Sequence, residues 1–225
     1  MPPNNDSVTR FANPMDTIGA QCICQDILVE DISPSMAGHG FEPGKTKIGL
    51  MYEASVSFLN TKLAQRPQDK VAVVTFDAKG QERCGLLNVA TYYSRILAAM
   101  EKASVISGGG TCIQSALRIA LKLVEGSRWL HPAGSAEVIT RVLSYSDGED
   151  QSKAEALRYA SQLKELGVVI WTFGIGERRT CVDERFLRSI ATETDGVKNY
   201  RFLGDGDAIR QTFTKLATGM LVFEG

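Results

Sequence analysis

The chain has 225 residues, of which 44% are hydrophobic and 23% are charged, and its formal net charge is −1. This length and composition suit one globular α/β unit with a sizeable core. Because the charge is nearly balanced and no run of Lys or Arg is present, we predict that neither nucleic acid nor an anionic membrane surface is a partner.

The first twenty residues mix Pro, Asn, Asp and Ser with few apolar side chains, so they lack the apolar core of a signal peptide. We therefore expect a flexible leader over residues 1–20 and a single domain over residues 21–225. The five cysteines are odd in number and mostly isolated, which favours reduced thiols over a disulfide framework. The sequence thus predicts a cytoplasmic protein.

The first half of the domain alternates strands and helices. A short apolar segment predicts a buried strand over 22–29, and apolar residues recur at helical spacing from Ile48 to Leu63. Residues 71–76 are rich in β-branched side chains and predict the next parallel strand. A weaker strand over 84–87 is expected to pair antiparallel at the edge of the sheet.

The second half continues the same alternation. Helices are predicted over 92–102, from Thr111 onward, and over 154–166, 183–192 and 208–221. Strands are predicted over 138–145, 168–173 and 200–203. The fold class is therefore α/β, doubly wound, with a mostly parallel central sheet, helices on both faces and one antiparallel edge strand.

Oxygen-bearing side chains occur in three blocks, each beside a hydrophobic run. Asp31, Ser33 and Ser35 form the first block, Thr111 follows three glycines, and Asp147 precedes a glycine. Loops at the carboxyl ends of parallel strands meet at one edge of an open sheet, which is where such folds bind ligands. We expect these five side chains to converge there.

Their chemistry suits a hard divalent ion. Hydroxyl and carboxylate oxygens, without His or thiolate, favour Mg2+ or Mn2+ over zinc or copper. Mg2+ takes about six oxygens, so five side chains leave a coordination position for another ligand. With only two carboxylates in the set, the ion would remain electrophilic toward an acidic group on a partner.

The three blocks, in this order and spacing, resemble the metal-ion-dependent adhesion site of von Willebrand factor type A domains. Residues 170–176 resemble the late core strand of that family, and the residues before Asp195 resemble the helix and turn that follow it. The resemblance covers residues from about 21 to 220. It implies a Rossmann-like fold and metal-dependent binding of an Asp or Glu carboxylate on a partner protein.

The resemblance also implies how the ligands act. In this family the two serines usually contact the ion directly, the threonine does so directly or through water, and the aspartates act partly through water. The chain is similar to stand-alone bacterial members, including tellurite-resistance-type stress proteins that work beside kinases and phosphatases. This similarity suggests an adaptor in a signalling or assembly complex, whose last helix could move when a partner binds.

Two positions depart from the family pattern. Pro34 lies where glycine is usual, and it fixes its own φ and favours an extended Ser33, so the loop should be stiff. Glu30 occupies a normally apolar strand position. Because neighbouring strand residues point to opposite faces, Glu30 should not share the site of Asp31, and its carboxylate needs another partner.

Two catalytic alternatives compete with the binding module. The first is an NTPase, because Gly44, Lys45 and Thr46 resemble the end of a phosphate-binding loop. However, His39 stands where that loop requires glycine, and Pro43 removes a backbone donor.

A magnesium-dependent phosphatase or phosphotransferase could use Asp31 as nucleophile together with Asp147. The second acid expected two residues after that nucleophile is replaced by Ser33. With two histidines in loops and no catalytic triad, we nominate no catalytic residue and predict a binding protein rather than an enzyme.

Overall fold

A computed structural model describes residues 22–38, 41–106, 108–128, 137–147, 150 and 152–219. The predicted leader over residues 1–20 lies outside the described residues. Within these ranges, no helix is long and apolar enough to cross a membrane.

In the described ranges, eight strands form one large sheet and one small hairpin. The strands are β1 (Ile23–Asp31), β2 (Lys70–Phe76), β3 (Gly80–Asn88), β4 (Val138–Ser146), β5 (Val169–Ile175), β6 (Glu193–Thr194), β7 (Val197–Lys198) and β8 (Tyr200–Leu203). The large sheet has the order β3-β2-β1-β4-β5-β8, and β6 pairs with β7. In the large sheet β3 pairs antiparallel with β2, while the other described pairings are parallel.

Six α-helices within the described residues cover the two faces of this sheet. They are α1 (Lys47–Gln65), α2 (Val89–Ala103), α3 (Ile113–Arg128), α4 (Lys153–Glu165), α5 (Glu184–Ile190) and α6 (Gly206–Thr218). Apolar side chains of α1, α2 and α6 share one core cluster, and those of α3, α4 and α5 share the other. Two apolar layers therefore enclose the sheet, as in doubly wound folds.

The central strand β1 is buried on both faces, and its side chains alternate between the two layers. On one face, Glu30 accepts a hydrogen bond from Ser55 of α1. On the other, Gln25 accepts one from Ser127 of α3. This alternation sends the even-numbered side chains of β1 toward α1, and it sends Asp31 to the opposite face.

The predicted fold class is confirmed, including the antiparallel edge strand. One helical position differs from the prediction: Leu63 is 38% exposed, while Lys62 is completely buried. Lys62 is buried because it pairs with Asp26 and Asp69 under the helix. The hairpin of β6 and β7 was not predicted, because two-residue strands carry too short a pattern to be recognised.

Candidate metal centre

The carboxyl ends of β1 and β4 bring the first and third oxygen blocks together. The two strands are parallel neighbours, with Glu30 beside Tyr145, so Asp31 lies next to Ser146. Ser146 Oγ donates a hydrogen bond of 2.7 Å to Asp31 Oδ2. Asp147 follows immediately and is only 3% exposed. The predicted convergence of these two blocks is therefore what the sheet produces.

The loop after β1 carries the two serines in a tight turn. Ser33 N donates to Asp31 Oδ1 at 2.9 Å, and Ser33 Oγ lies 3.0 Å from Ser35 Oγ. Pro34 begins a 3-10 turn, Pro34–Ala37, and Ser33 before it is extended at φ −64° and ψ 161°. Buried Met36 anchors the turn in the core. Pro34 thus has the local effect that the sequence predicts.

The glycine loop before α3 forms the opposite wall. An open cleft of about 360 Å3 is lined by residues of all three loops: Ser33, Pro34, Ser35, Gly109, Gly110, Thr111 and Asp150. Gly109 lies so close to the end of β2 that an added Cβ would be 3.1 Å from the Cβ of Ala78. Glycine at that position therefore lets the loop pack against the sheet and place Thr111 at the cleft.

Asp31 and Asp147 bring uncompensated negative charge to the site. Burial raises the pKa of Asp31 to about 6, hydrogen bonds from Ser33 and Ser146 oppose the rise, and the Asp147 carboxylate adds to it. Asp147 Oδ1 is buried without a hydrogen-bond partner. Across the described residues, no Lys or Arg forms an ion pair with either carboxylate. Such carboxylates are costly to bury unless a cation joins them.

The donor set fits a hard divalent ion. The predicted ligands are two carboxylates and three hydroxyls, and Asp147 Oδ1 is a buried acceptor without a donor. In the part of the chain that the structure describes, no group of three or more His, Cys, Asp or Glu side chains could hold a metal by itself. A metal at this edge would therefore depend on the hydroxyls of the serine turn and of Thr111, which is typical of a magnesium-type site.

Asp150 is a cleft residue that the sequence analysis did not predict. Its Oδ2 accepts from Ile113 N at 2.5 Å, and its Oδ1 accepts from Ser152 N at 2.5 Å. Burial raises the pKa of Asp150, and the two backbone donors oppose that rise. The sequence signal was an Asp two residues before Ser152, the side-chain-to-backbone pattern of an Asx turn.

Glu30 lies on the other face of the sheet, away from Asp31. Its Oε1 accepts a 2.9 Å hydrogen bond from Ser55 Oγ, which supplies the partner that the sequence left unnamed. Burial raises the pKa of Glu30 to about 7, and the hydrogen bond from Ser55 only partly opposes that effect. The alternation of strand side chains correctly separates Glu30 from the cleft.

The segment that resembles a phosphate-binding loop forms the start of α1. Thr46 caps the helix by accepting from Gly49 N at 3.1 Å, and Gly44 has a left-handed φ of +76°. Lys45 Nζ lies 2.7 Å from Glu53 and 3.2 Å from Glu42. This lysine is engaged by two carboxylates, and its segment serves as a turn and helix cap.

A family comparison agrees with this architecture. The family model of the von Willebrand factor type A domain matches residues 27–163. That match covers more than half of the chain and includes all five predicted ligands, so the chain belongs to this family. No curated protein matches the chain.

Solved structures show the same fold. BatB from Bacteroides thetaiotaomicron aligns with a TM-score of 0.65 and 18% identity, over 88% of this chain and 98% of BatB. Manganese-loaded TRAP protein from Plasmodium vivax aligns at 0.60 and 19% identity, over 88% and 74% of the two chains. Proximal thread matrix protein 1 from the mussel byssus, with a zinc-occupied MIDAS motif, aligns at 0.63 and 22% identity, over 88% and 46%. Likeness at these identities establishes the fold alone.

Proposed function

We propose that this von Willebrand factor type A domain is a divalent-metal-dependent protein-interaction module. Its ion, Mg2+ or Mn2+, would be held by Asp31, Ser33, Ser35, Thr111 and Asp147. The open coordination position would accept the carboxylate of an Asp or Glu on a partner protein. The observation that carries this proposal is a pair of buried carboxylates, Asp31 and Asp147, beside an open, hydroxyl-lined cleft. Among the described residues, no Lys or Arg forms an ion pair with either of them.

A bound divalent ion would supply both the missing charge and a binding position. Two carboxylates balance a charge of two, and three neutral hydroxyls add oxygen ligands without adding negative charge. The ion would therefore keep an attraction for one more anionic oxygen. A cleft of about 360 Å3 leaves room above the serine turn for the side chain of an acidic residue. This geometry favours capture of a partner carboxylate over a fully enclosed structural site.

Support for the ion type comes from the donor set and from similar folds. Oxygen donors alone favour Mg2+ or Mn2+. Two structures with the same fold are described with manganese bound and with a zinc-occupied MIDAS motif. Those metals belong to those proteins. For this chain they support a divalent ion at the corresponding sheet edge, and we propose Mg2+ or Mn2+ as its occupant.

We also propose that the protein works in the cytoplasm. All five cysteines are free thiols, which agrees with a reducing compartment such as the cytoplasm. An adaptor in a complex that contains kinases or phosphatases, like the tellurite-resistance-type proteins, is supported by family analogy alone.

Movement of α6 would give such an adaptor a means of regulation. Arg210 of α6 donates a 2.5 Å hydrogen bond to Glu42, in the segment that joins the serine turn to α1. This ion pair therefore connects α6 to the segment that follows the serine turn. Structures with and without a bound partner should differ in the position of α6, and an identical position in both would exclude this part of the proposal.

Calorimetric titration of Mg2+ and Mn2+ tests the ion site. We expect saturable binding by the wild type and affinity lower by at least about tenfold in Thr111→Ala, because the substitution removes one ligand hydroxyl. Thr214→Ala is the matched control, since Thr214 is an exposed threonine on α6. Equal affinities for the wild type and Thr111→Ala, or no binding by folded wild type, would contradict the proposal.

Partner capture is tested separately with synthetic peptides. A Mn2+-loaded protein should bind acidic peptides more tightly than the same peptides with Asn and Gln in place of Asp and Glu, and EDTA should abolish the difference. Equal binding of the two peptide sets, with Mn2+ demonstrably bound, would show an ion site that does not recognise carboxylates.

A further inference from the structure

One carboxylate ties together the starts of two helices beside the proposed ion site. Asp150 accepts from the N–H of Ile113, the first residue of α3, and from the N–H of Ser152, which directly precedes α4. Ile113 is 37 positions away along the chain. The Asp150 carboxylate therefore joins two separate loops, and it satisfies a backbone donor at each helix start.

These two loops are the ones that carry Thr111 and Asp147. Thr111 lies two residues before Ile113, and Asp147 lies three residues before Asp150. Asp150 and Thr111 both line the cleft. The Asp150 carboxylate thus links the two loops by accepting a hydrogen bond from a backbone N–H at each.

We infer that Asp150 is a positioning residue, which holds the loops of Thr111 and Asp147 at the separation that a divalent ion needs. This inference rests on the proposed function. Each Asp150 oxygen accepts a short bond from a backbone N–H, and we therefore assign its role to the loops that these bonds join. Its negative charge also lies at the amino-terminal end of α3, where the helix dipole favours it.

The expected consequence is an ion site that is preorganised rather than assembled by the ion. Groups that orient metal ligands commonly contribute 10- to 100-fold in metal affinity. Asp150→Asn keeps the shape of the side chain but replaces one acceptor oxygen with an NH2 group and removes the charge. We expect Mn2+ affinity to fall by about 10- to 100-fold in this variant.

A substitution at a helix cap away from the cleft distinguishes a loss of ligand positioning from a general loss of stability. Asp205 caps α6 by accepting from Ala208 N at 2.7 Å, and it does not line the cleft. Asp205→Asn removes a comparable helix-capping carboxylate. Its Mn2+ affinity should equal that of the wild type, even if its midpoint of unfolding falls as much as that of Asp150→Asn.

A double variant tests whether Asp150 affects Mn2+ affinity through the position of Thr111. If Asp150 acts by placing Thr111, the loss caused by Asp150→Asn should shrink when Thr111→Ala is already present, because coupled sites are not additive. Calorimetry on the wild type, both single variants and the double variant measures this coupling. Without metal, the amide of Ile113 should also exchange its hydrogen faster in Asp150→Asn than in Asp205→Asn.

The outcomes are distinct. Wild-type affinity in Asp150→Asn, or independent multiplication of the two losses, would overturn the positioning role and leave the ion site standing. Failure of folded wild type to bind Mn2+ would overturn the proposed function and this inference with it. Reduced affinity in Asp150→Asn, normal affinity in Asp205→Asn and a smaller loss in the Thr111→Ala background are the results that support the inference.

Discussion

Strand β1 carries two buried aspartates, Asp26 and Asp31, which differ in whether a cationic side chain balances their charge. Asp26 Oδ1 lies 2.6 Å from Arg141 Nε, and Asp26 Oδ2 lies 2.7 Å from Lys62 Nζ. Asp31, five residues later and on the other face, has hydroxyl and backbone donors but no cation among the described residues. One carboxylate is neutralised inside the fold, while the other lies behind Ser33, which lines the open cleft.

The pKa values of Asp26 and Asp31 shift in opposite directions for the same reason. Burial acts to raise the pKa of Asp26, but Arg141 and Lys62 outweigh it, so the pKa is lowered. Burial also raises the pKa of Asp31, and no cation counters it, so the value reaches about 6. Equal burial therefore has different consequences, because only the first site contains its own positive charge. The first is an internal structural network, and the second has the chemistry of a binding site.

The largest expected effect comes from breaking the internal network. Asp26→Asn leaves the buried side chains of Arg141 and Lys62 without their shared anion. Removing one partner of a buried ion pair typically costs about 3–5 kcal/mol in the free energy of unfolding. Urea denaturation of the purified variant measures this loss. A change below about 1 kcal/mol would mean that the neighbouring Asp69 compensates for both cations.

The matched substitution at the other end should behave differently. In metal-free buffer at neutral pH, Asp31→Asn is expected to change the free energy of unfolding by less than about 1 kcal/mol. It removes a buried charge that has no cationic partner, and this gain offsets the disturbed hydrogen bonds to Ser33 and Ser146. A loss as large as that of Asp26→Asn would show that Asp31 is structural.

Adding Mn2+ should make the Asp31 carboxylate important for the stability of the folded protein. At a Mn2+ concentration of about 100 times its Kd, binding to the native state stabilises the wild type by about 2.7 kcal/mol. Asp31→Asn should gain little from the same addition, because it lacks a ligand carboxylate. Thermal unfolding with and without Mn2+ measures the difference, and equal shifts in the two proteins would locate the ion elsewhere.

Acid should weaken the Asp26 network within a defined pH window. A carboxyl whose folded pKa is lowered contributes stability above its unfolded pKa, near 3.8, and loses it as pH falls through the folded pKa. Wild-type stability should therefore drop below about pH 4, as protonation uncouples Asp26 from Arg141 and Lys62. The free energy of unfolding of Asp26→Asn should fall less steeply over the same pH range. Parallel stability profiles for the two proteins would mean that other carboxyls cause the loss of stability in acid.

The smallest expected effect concerns the stiffness of the serine turn. Pro34 is exposed and opens the 3-10 turn of the cleft. Pro34→Ala should lower the free energy of unfolding by about 0.4–1 kcal/mol, chiefly because the unfolded chain becomes more flexible. Differential scanning calorimetry is sensitive enough to detect this change. A higher melting temperature would indicate that the proline strains the turn.

Local patterns were sufficient to predict the large sheet and to single out the three oxygen-bearing blocks as candidates for a metal site. Strands with β-branched runs and helices with apolar stripes carry their signal in neighbouring residues. Alternation of strands and helices predicts parallel strands whose carboxyl ends lie at one edge of the sheet. The observed pairing of β1 with β4 then brings Asp31 to Ser146. The hydrogen bond between Ser33 and Ser35 is equally local.

Charged contacts across the sheet could not be predicted in the same way. Lys62 and Arg141 are completely buried, although charged side chains are normally exposed unless paired. Arg141 meets Asp26 over 115 positions, and Asp150 meets Ile113 over 37. Each partner is chosen by strand register and loop packing, which a single sequence does not display. For the same reason Asp150 was not predicted from the sequence.

Anomalous scattering from Mn2+ in a crystal would locate the ion directly. We expect one strong peak at the carboxyl edge of the sheet, within bonding distance of the Ser33, Ser35 and Thr111 hydroxyls and near the carboxylates of Asp31 and Asp147. Crystals of Thr111→Ala soaked in the same solution should show a weaker peak or none. A wild-type crystal with no peak in this cleft, or with Mn2+ bound only at exposed acidic residues elsewhere, would contradict the proposed ion site.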